Sequence, residues 1–316
     1  VAKKIKYRVA LTGATGFLGK HVLDELVAAN YNVRALTRRE QASRASVEWV
    51  RGDLTDPAAL AALVKRSDMV IHVAGLTKAN SRGEFFQVNR DGTERLLRAS
   101  RDAGIRRFIL ISSLAAREPQ LSHYSASKAA AESLVLDRTW PFERLVIRPP
   151  GIYGPGDMEI LKILKATKYG ILPAPGSVKN RFSMIHGIDL ARGIVASLAA
   201  KDFNHNFAVE MDDGHEGGYT IKQVAKALAD GTESKQAKTI PLPRALLMGI
   251  GGINLMISKT TGKAPMLTPA KANELCHEDW AVREVLRWQP KSWRAEYDLP
   301  TGMKNTIEWY RQQDLL

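Results

Sequence analysis

The chain of 316 residues is 45% apolar and 25% charged, a composition that excludes a disordered tract and leaves room for one or two domains with a large core. Its single cysteine, Cys276, excludes an intrachain disulfide framework and suits a reducing compartment, and no apolar run reaches the roughly 18–20 residues of a membrane span. Lysine and arginine outnumber aspartate and glutamate by 46 to 33, and this net +13 points either to anionic partners or to no more than a solvated basic surface.

The opening stretch VAKKIKYRVALTG lacks a signal-peptide core; its apolar part runs into a glycine motif and reads as the first strand. NVRAL, VEWV, MVIHVAG, RFILISS and RLVIRP read as further strands, several of them apolar on both faces, as a parallel sheet covered by helices requires. FLGKHVLDELVAAN, DPAALAALVKR and EFFQVNRDGTERLLRASRDAG read as the intervening helices, the last capped by Gly104. The alternation predicts an α/β domain, a doubly wound parallel sheet, over residues 1–150. The turn-rich GIYGPGD then leads into residues 151–316, a smaller, mostly helical substrate-binding cap, with 185–200 returning to the first domain. In the cap, FAVEM reads as a short strand and YTIKQVAKALADG as a helix with Thr220 as N-cap. ALLMGIGGINLMIS, interrupted by three glycines, reads as an imperfect helix: either a core helix of the cap or a mobile flap over an apolar cleft.

TGATGFLG, from Thr12 to Gly19, follows a strand and opens a helix. Gly13, Gly16 and Gly19 permit a tight turn and close backbone approach to a pyrophosphate, and the helix N-terminus offers free N–H groups to the anion. Thr15, Phe17 and Leu18 belong to the same cofactor-binding loop. Where an acid would bond the adenosine ribose, the second strand ends in Thr37, Arg38 and Arg39; arginine can hold a 2′-phosphate, so the expected cofactor is NADP(H). Asp53, next to Leu54 after the third strand, could accept from the adenine amine. In LSHYSASKAAAE, Tyr124 and Lys128 stand four apart, a spacing that puts them on one helix face.

Together these motifs resemble the extended short-chain dehydrogenases/reductases: TGATGFLG, Gly52-Asp53-Leu54, HVAG at 72–75, VNRDGT at 88–93, ISS at 111–113, Tyr124-x-x-x-Lys128 and RPPGIYGPGD at 148–157, in the family's order. The resemblance implies a Rossmann fold and three catalytic residues. Tyr124 would exchange a proton with a substrate oxygen, Lys128 would favour its phenolate and bond the nicotinamide ribose, and Ser113 would bond the same substrate oxygen. Ser112 competes with Ser113, since alternation sends adjacent residues to opposite faces; the resemblance favours Ser113. It further implies that Ala74 and Gly75 pass beside the adenosine ribose and phosphates, that Asn89 braces the site, and that Pro149 to Ile152 line the nicotinamide. No metal is expected.

The substrate is read from departures. Sugar-nucleotide members carry Arg-Asp-aromatic where this chain has Arg181, Phe182 and Ser183, and dehydratases carry an acidic pair where Leu114-Ala115-Ala116 stand. The apolar cap, followed by TGKAPMLTPAKANELCHEDW, resembles the 3β-hydroxysteroid-dehydrogenase-like branch, to which bacterial keto-lipid reductases, including oxidised-ceramide reductases, are similar in type. The resulting expectation is an NADPH-dependent reductase of a ketone on a lipid-like substrate. The protein would be cytoplasmic, a monomer or homodimer, with contact to an anionic membrane surface and none to nucleic acid, since no basic repeat or aromatic platform occurs. The rivals are a nucleotide-sugar epimerase with tightly bound NAD and a non-catalytic accessory subunit of a membrane complex.

Overall fold

The computed structural model describes residues 7–167, 169–261, 265 and 267–316. The start of the opening stretch (residues 1–6) and part of the cap segment quoted above (262–264 and 266) lie outside the described residues.

Six strands, β1 (Arg8–Thr12), β2 (Asn32–Thr37), β3 (Val47–Arg51), β4 (Met69–His72), β5 (Arg107–Ile111) and β6 (Glu143–Arg148), join Val209–Glu210 in one parallel sheet. Its order is Val209–Glu210, β6, β5, β4, β1, β2, β3, so the winding reverses between β4 and β1. In a doubly wound sheet that reversal opens a crevice at the carboxyl ends of the strands.

Successive side chains of each strand point to opposite faces, and both faces are buried. Val9, Leu11, Ile71, Ile109 and Ile147 pack toward α1 (Phe17–Ala28), while Ala10, Val70, Phe108, Leu110 and Val146 pack toward α2 (Pro57–Val64) and the helices that follow it. The single long helix expected over 84–104 is divided. α3 (Arg82–Phe85) passes into a wider turn at Phe86–Asp91, and α4 (Gly92–Asp102) completes it, with Gly104 at φ 70° beyond its end. Wider turns of this kind gather at functional sites, and this one carries Asn89. α5 (His123–Val135) packs on the same face, its N-terminus capped by the Ser122 hydroxyl, which accepts from Ser125 N.

Beyond β6, α6 (Met158–Thr167) belongs to the cap, whereas α7 (Gly187–Ser197) packs on α1 beneath the sheet. α8 (Ile221–Thr232) begins at Thr220 with a reciprocal capping box to Gln223. α9 (Arg244–Thr261) is one continuous helix despite its glycines. Gly251 is needed there: a Cβ would come within 2.5 Å of the Thr268 backbone, just before α10 (Pro269–Leu275). α11 (Leu299–Gln312) closes the cap core against α8, with Tyr153, Leu164, Leu228, Met303 and Tyr310 buried between them. Trp288 and Trp293 extend the core beneath the sheet.

The apolar residues of α9 depart from the core-helix option. Leu247 is buried, but Ile253 is 60% and Met256 72% exposed, and Leu246, Ile250 and Ile257 lie on the same outward stripe. No helix among the described residues is long and apolar enough to cross a membrane.

Candidate active site

Loops at the carboxyl ends of β1 to β6 converge on one crevice. The glycine loop leads from β1 into α1. Gly13 has φ 77°, and a Cβ on it would lie 2.7 Å from Ala74 N; a Cβ on Gly19 would lie 1.8 Å from the Gly13 carbonyl oxygen. Gly16 is the N-cap of α1 and offers no side chain to cap its N–H groups. Thr15 and Gly16 are exposed, Phe17 meets His21 edge-on, and Leu18 is buried in the core. This cradle, open to backbone approach and edged by uncapped N–H groups, fits a dinucleotide pyrophosphate.

After β2, the Thr37 hydroxyl turns back to donate to the Arg39 carbonyl at 2.7 Å, leaving Arg38 and Arg39 exposed. Asp53 accepts from Thr55 N and Oγ1 at 2.7 and 2.6 Å; those bonds, with the charge of Arg38, hold its carboxyl below the usual range. Leu54 is buried against Gly92, so only its backbone is available to a ligand. Ala74 is half-buried, and Gly75 lies open where a Cβ would come within 3.1 Å of Asn89 Oδ1 and 3.7 Å of Lys128 Nζ.

Tyr124 and Lys128 share one face of α5, with Glu132 a further turn along. Ser113, rather than Ser112, hydrogen-bonds the phenol; its Oγ accepts from Ala115 N at 3.2 Å. The Ser112 hydroxyl is buried in the same region without a partner among the described residues. Burial pushes the Tyr124 phenol up to about 12, against the lowering effect of the Ser113 bond, so the phenol is protonated at neutral pH. The Lys128 ammonium donates to the Ile111 carbonyl at 2.7 Å. Burial lowers Lys128 to about 8, with Glu132 pulling the other way. Glu132 is itself held by a two-pronged pair with Arg148, at 2.8 and 2.5 Å.

Two further groups link α5 to the sheet, and only Asn89 was visible in the sequence. Asn89 receives Leu76 N at 2.7 Å, donates to Leu76 O at 3.0 Å and to Ser127 Oγ at 2.9 Å, and Ser127 Oγ donates to Tyr124 O at 2.7 Å. His72, fully buried at the end of β4, lies 2.6 Å from Thr12 Oγ1 and 2.9 Å from Thr93 Oγ1. Thr93 donates onward to Asn89 O at 2.6 Å, so His72 Nε2 carries the proton and Nδ1 accepts from Thr12. Burial lowers its pKa to about 3, which keeps it neutral. A polar chain thus runs from the glycine-loop strand to the helix carrying Tyr124, every member paired.

On the other side of Tyr124 lies a cavity of about 580 Å³, lined by Ser113, Pro149, Ile152, Ile163, Phe182, Met184, Ile221, Leu275 and Trp280 among others. A second, of about 340 Å³, runs past Phe85 toward Leu255 of α9 and Pro265. Thr77, Tyr124, Lys271 and Glu274 line both. Arg181 sits on the rim of the first and donates to Gly218 O at 3.3 Å. The Ser183 hydroxyl is buried and committed to Asp212 at 2.8 Å, which in turn pairs with Arg287. Lys271 and Glu274 are the site residues that sequence reading missed, because nothing local in PAKANEL marks them.

Residues 9–209 match the NAD dependent epimerase/dehydratase family. The chain is 38% identical to a ceramide reductase of Caulobacter vibrioides over 308 residues, covering 96% of this chain and 94% of that one. It is 30% identical to the decarboxylating sterol-4-alpha-carboxylate 3-dehydrogenase of Bos taurus over 185 residues, about half of each chain. Among solved structures, MoeE5 in complex with UDP-glucuronic acid and NAD superposes with a TM-score of 0.72 at 22% identity, covering 97% of this chain and 99% of that one. The chain belongs to the NAD dependent epimerase/dehydratase family, the extended short-chain dehydrogenases/reductases.

Proposed function

We propose that this protein is an NADPH-dependent reductase of a ketone on a lipid-like substrate of the 3-keto sphingolipid or oxidised-ceramide type. The observation that carries this reading is the largely apolar cavity opening directly on the Tyr124 phenol. The similarity to a ceramide reductase over nearly the whole chain supports it.

The glycine cradle and the α1 N-terminus would hold the pyrophosphate, and Arg38 and Arg39, exposed at the end of β2, would take the 2′-phosphate that distinguishes NADPH. When bound, the dinucleotide supplies the hydride. The protein supplies the rest. Ser113 and Tyr124 hold the ketone oxygen between them, and Tyr124, protonated at neutral pH, passes its proton to that oxygen as charge develops. Lys128 offsets the phenolate that remains, and Pro149 and Ile152 exclude water from one wall. The exposed apolar stripe of α9, beside the second cavity lined by its own Leu255, supports entry of the substrate from an anionic membrane surface, which the net +13 favours.

The test is consumption of NADPH, beside NADH, with a long-chain 3-keto sphingoid or ceramide-type ketone in detergent. Turnover with NADPH, reduced about 10²–10⁴-fold in Tyr124→Phe while cofactor binding persists, is expected. Absence of turnover on that ketone and on a 3-ketosteroid overturns the reading. The second reading, a nucleotide-sugar epimerase, draws on Arg181 at the cavity rim, and NAD retained through gel filtration would favour it.

A further inference from the structure

Glu274 and Lys271 stand one turn apart on α10, and both line the two cavities that meet at Tyr124. Glu274 is 7% exposed, which is unusual for a carboxylate beside an apolar cavity. Its Oε2 accepts from the Ser122 hydroxyl at 2.9 Å, and its Oε1 is paired with Lys271 Nζ. Ser122 is also the N-cap of the helix that carries Tyr124, so the pair is anchored to the catalytic helix. The Lys271 ammonium stands 5.7 Å from the centre of the Tyr124 ring.

We propose that Lys271 and Glu274 determine substrate specificity by reading a neutral hydrogen-bonding group, an amide or a hydroxyl, next to the ketone that Tyr124 protonates. This rests on the ketone-reductase reading above and adds the polar part of the substrate. The argument is one of inventory and charge. An ammonium has three donors and a carboxylate about four acceptor positions. The Ser122 and Lys271 contacts use two of the acceptors and one of the donors, so both groups keep capacity facing the cavities. The pair offers a donor and an acceptor side by side, the complement of an amide's C=O and N–H. Its charges cancel, so a carboxylate or phosphate placed there gains one partner and meets Glu274 with like charge. The largely apolar walls of the first cavity take a chain, and the pair is a buried, charged polar contact where the two cavities meet. A site built to hydrogen-bond a substrate group rejects the analogue lacking it, because its own polar atoms are left unpaired.

The experiment compares three long-chain ketones with the wild-type protein and with Lys271→Met, Glu274→Gln and Lys271→Arg. One ketone carries a 2-amide, one has no neighbouring polar group, and one carries a carboxylate there. Wild type is expected to prefer the amide ketone. Lys271→Met and Glu274→Gln should each lower kcat/KM on that ketone by about 10–100-fold, mostly through KM, while changing the unsubstituted ketone by less than about 3-fold. Lys271→Arg should restore part of the preference, and Glu274→Gln should improve the carboxylate ketone. Equal losses on the amide and unsubstituted ketones, or no loss on either, overturn the inference while leaving the reductase reading intact. Wild-type inactivity on all three, with NADPH still bound, overturns the reductase reading and this inference with it.

Discussion

Tyr124 is held between two differently built regions. On the sheet side, the neutral chain Thr12–His72–Thr93–Asn89–Ser127 contains no unpaired atom and no charge. On the cap side, the same tyrosine faces a charged pair on α10 and two cavities, the first largely apolar, beyond which α9 turns Leu246, Ile250, Ile253, Met256 and Ile257 outward. The first region is rigid because each buried polar group is satisfied only in one arrangement. The second leaves polar capacity and apolar surface unused by the protein itself. The difference teaches that the sheet side of Tyr124 is closed by its own hydrogen bonds, while the cap side is left with groups open to a ligand.

The strongest way to break this contrast is in the glycine cradle. Gly19→Ala sets a methyl group 1.8 Å from the Gly13 carbonyl oxygen, so the loop must move. Dinucleotide binding should be lost, with destabilisation of about 3 kcal/mol or more, measured by cofactor fluorescence titration and urea unfolding. The same alanine at Gly249, inside α9 with nothing within 4 Å, should leave cofactor binding unchanged and raise stability by about 0.5–1 kcal/mol.

Next in size is the polar chain. Asn89→Leu strands the Leu76 backbone and the Ser127 hydroxyl, and should cost about 2–3 kcal/mol of stability by denaturant unfolding. It should also lower kcat more than it changes KM, since α5 loses its support while the cavities keep their walls. A variant in which KM alone rises would contradict that positioning role.

A smaller effect is the pH dependence carried by Lys128. Its folded pKa of about 8 lies below the ordinary lysine value of 10.5, so the ammonium is lost as pH rises through about 8. The kcat/KM for reduction should fall above that point. Stability should move the other way: between about 8 and 10.5 the unfolded chain binds the extra proton, so unfolding becomes harder as pH rises. Lys128→Met should abolish that stability rise in pH-dependent melting. A parallel rise in activity and stability would refute the assignment.

The smallest folding effect is expected on α9. Ile253→Ser, at a position 60% exposed, should change stability by about 0.5 kcal/mol or less, yet lower sedimentation with vesicles containing anionic lipid. Unchanged sedimentation would remove the membrane-facing role of this stripe and sharpen the contrast by leaving the cavities alone to meet the lipid.

The dinucleotide half was legible because its signals are local. TGATGFLG, the strand-ending Ser112-Ser113 and the Tyr124–Lys128 spacing each lie within a few residues of one turn or helix, and the structure brings them to one crevice. The divided helix at Phe86–Asp91 was not legible, because an inserted wide turn leaves the amphipathic pattern on both sides nearly intact. The apolar run of α9 was ambiguous for a related reason: periodicity tells that a helix has an apolar face, and not whether anything packs on it. His72 read as one more residue in an apolar strand, and its role appears only with its partners, 60 and 21 positions away.

By itself, then, the amino-acid order determined the alternating strands and helices, the glycine cradle, and the spacing that puts Tyr124 and Lys128 on one helix face. These rest on backbone conformation and side-chain spacing over short stretches. Only the tertiary structure decided what faces Tyr124 from the cap. The Ser122–Glu274 bond joins residues 152 positions apart, and Lys271 reaches the tyrosine ring through the same fold of α10 onto α5. Contacts across such separations depend on how whole elements dock, and no local pattern of residues specifies that.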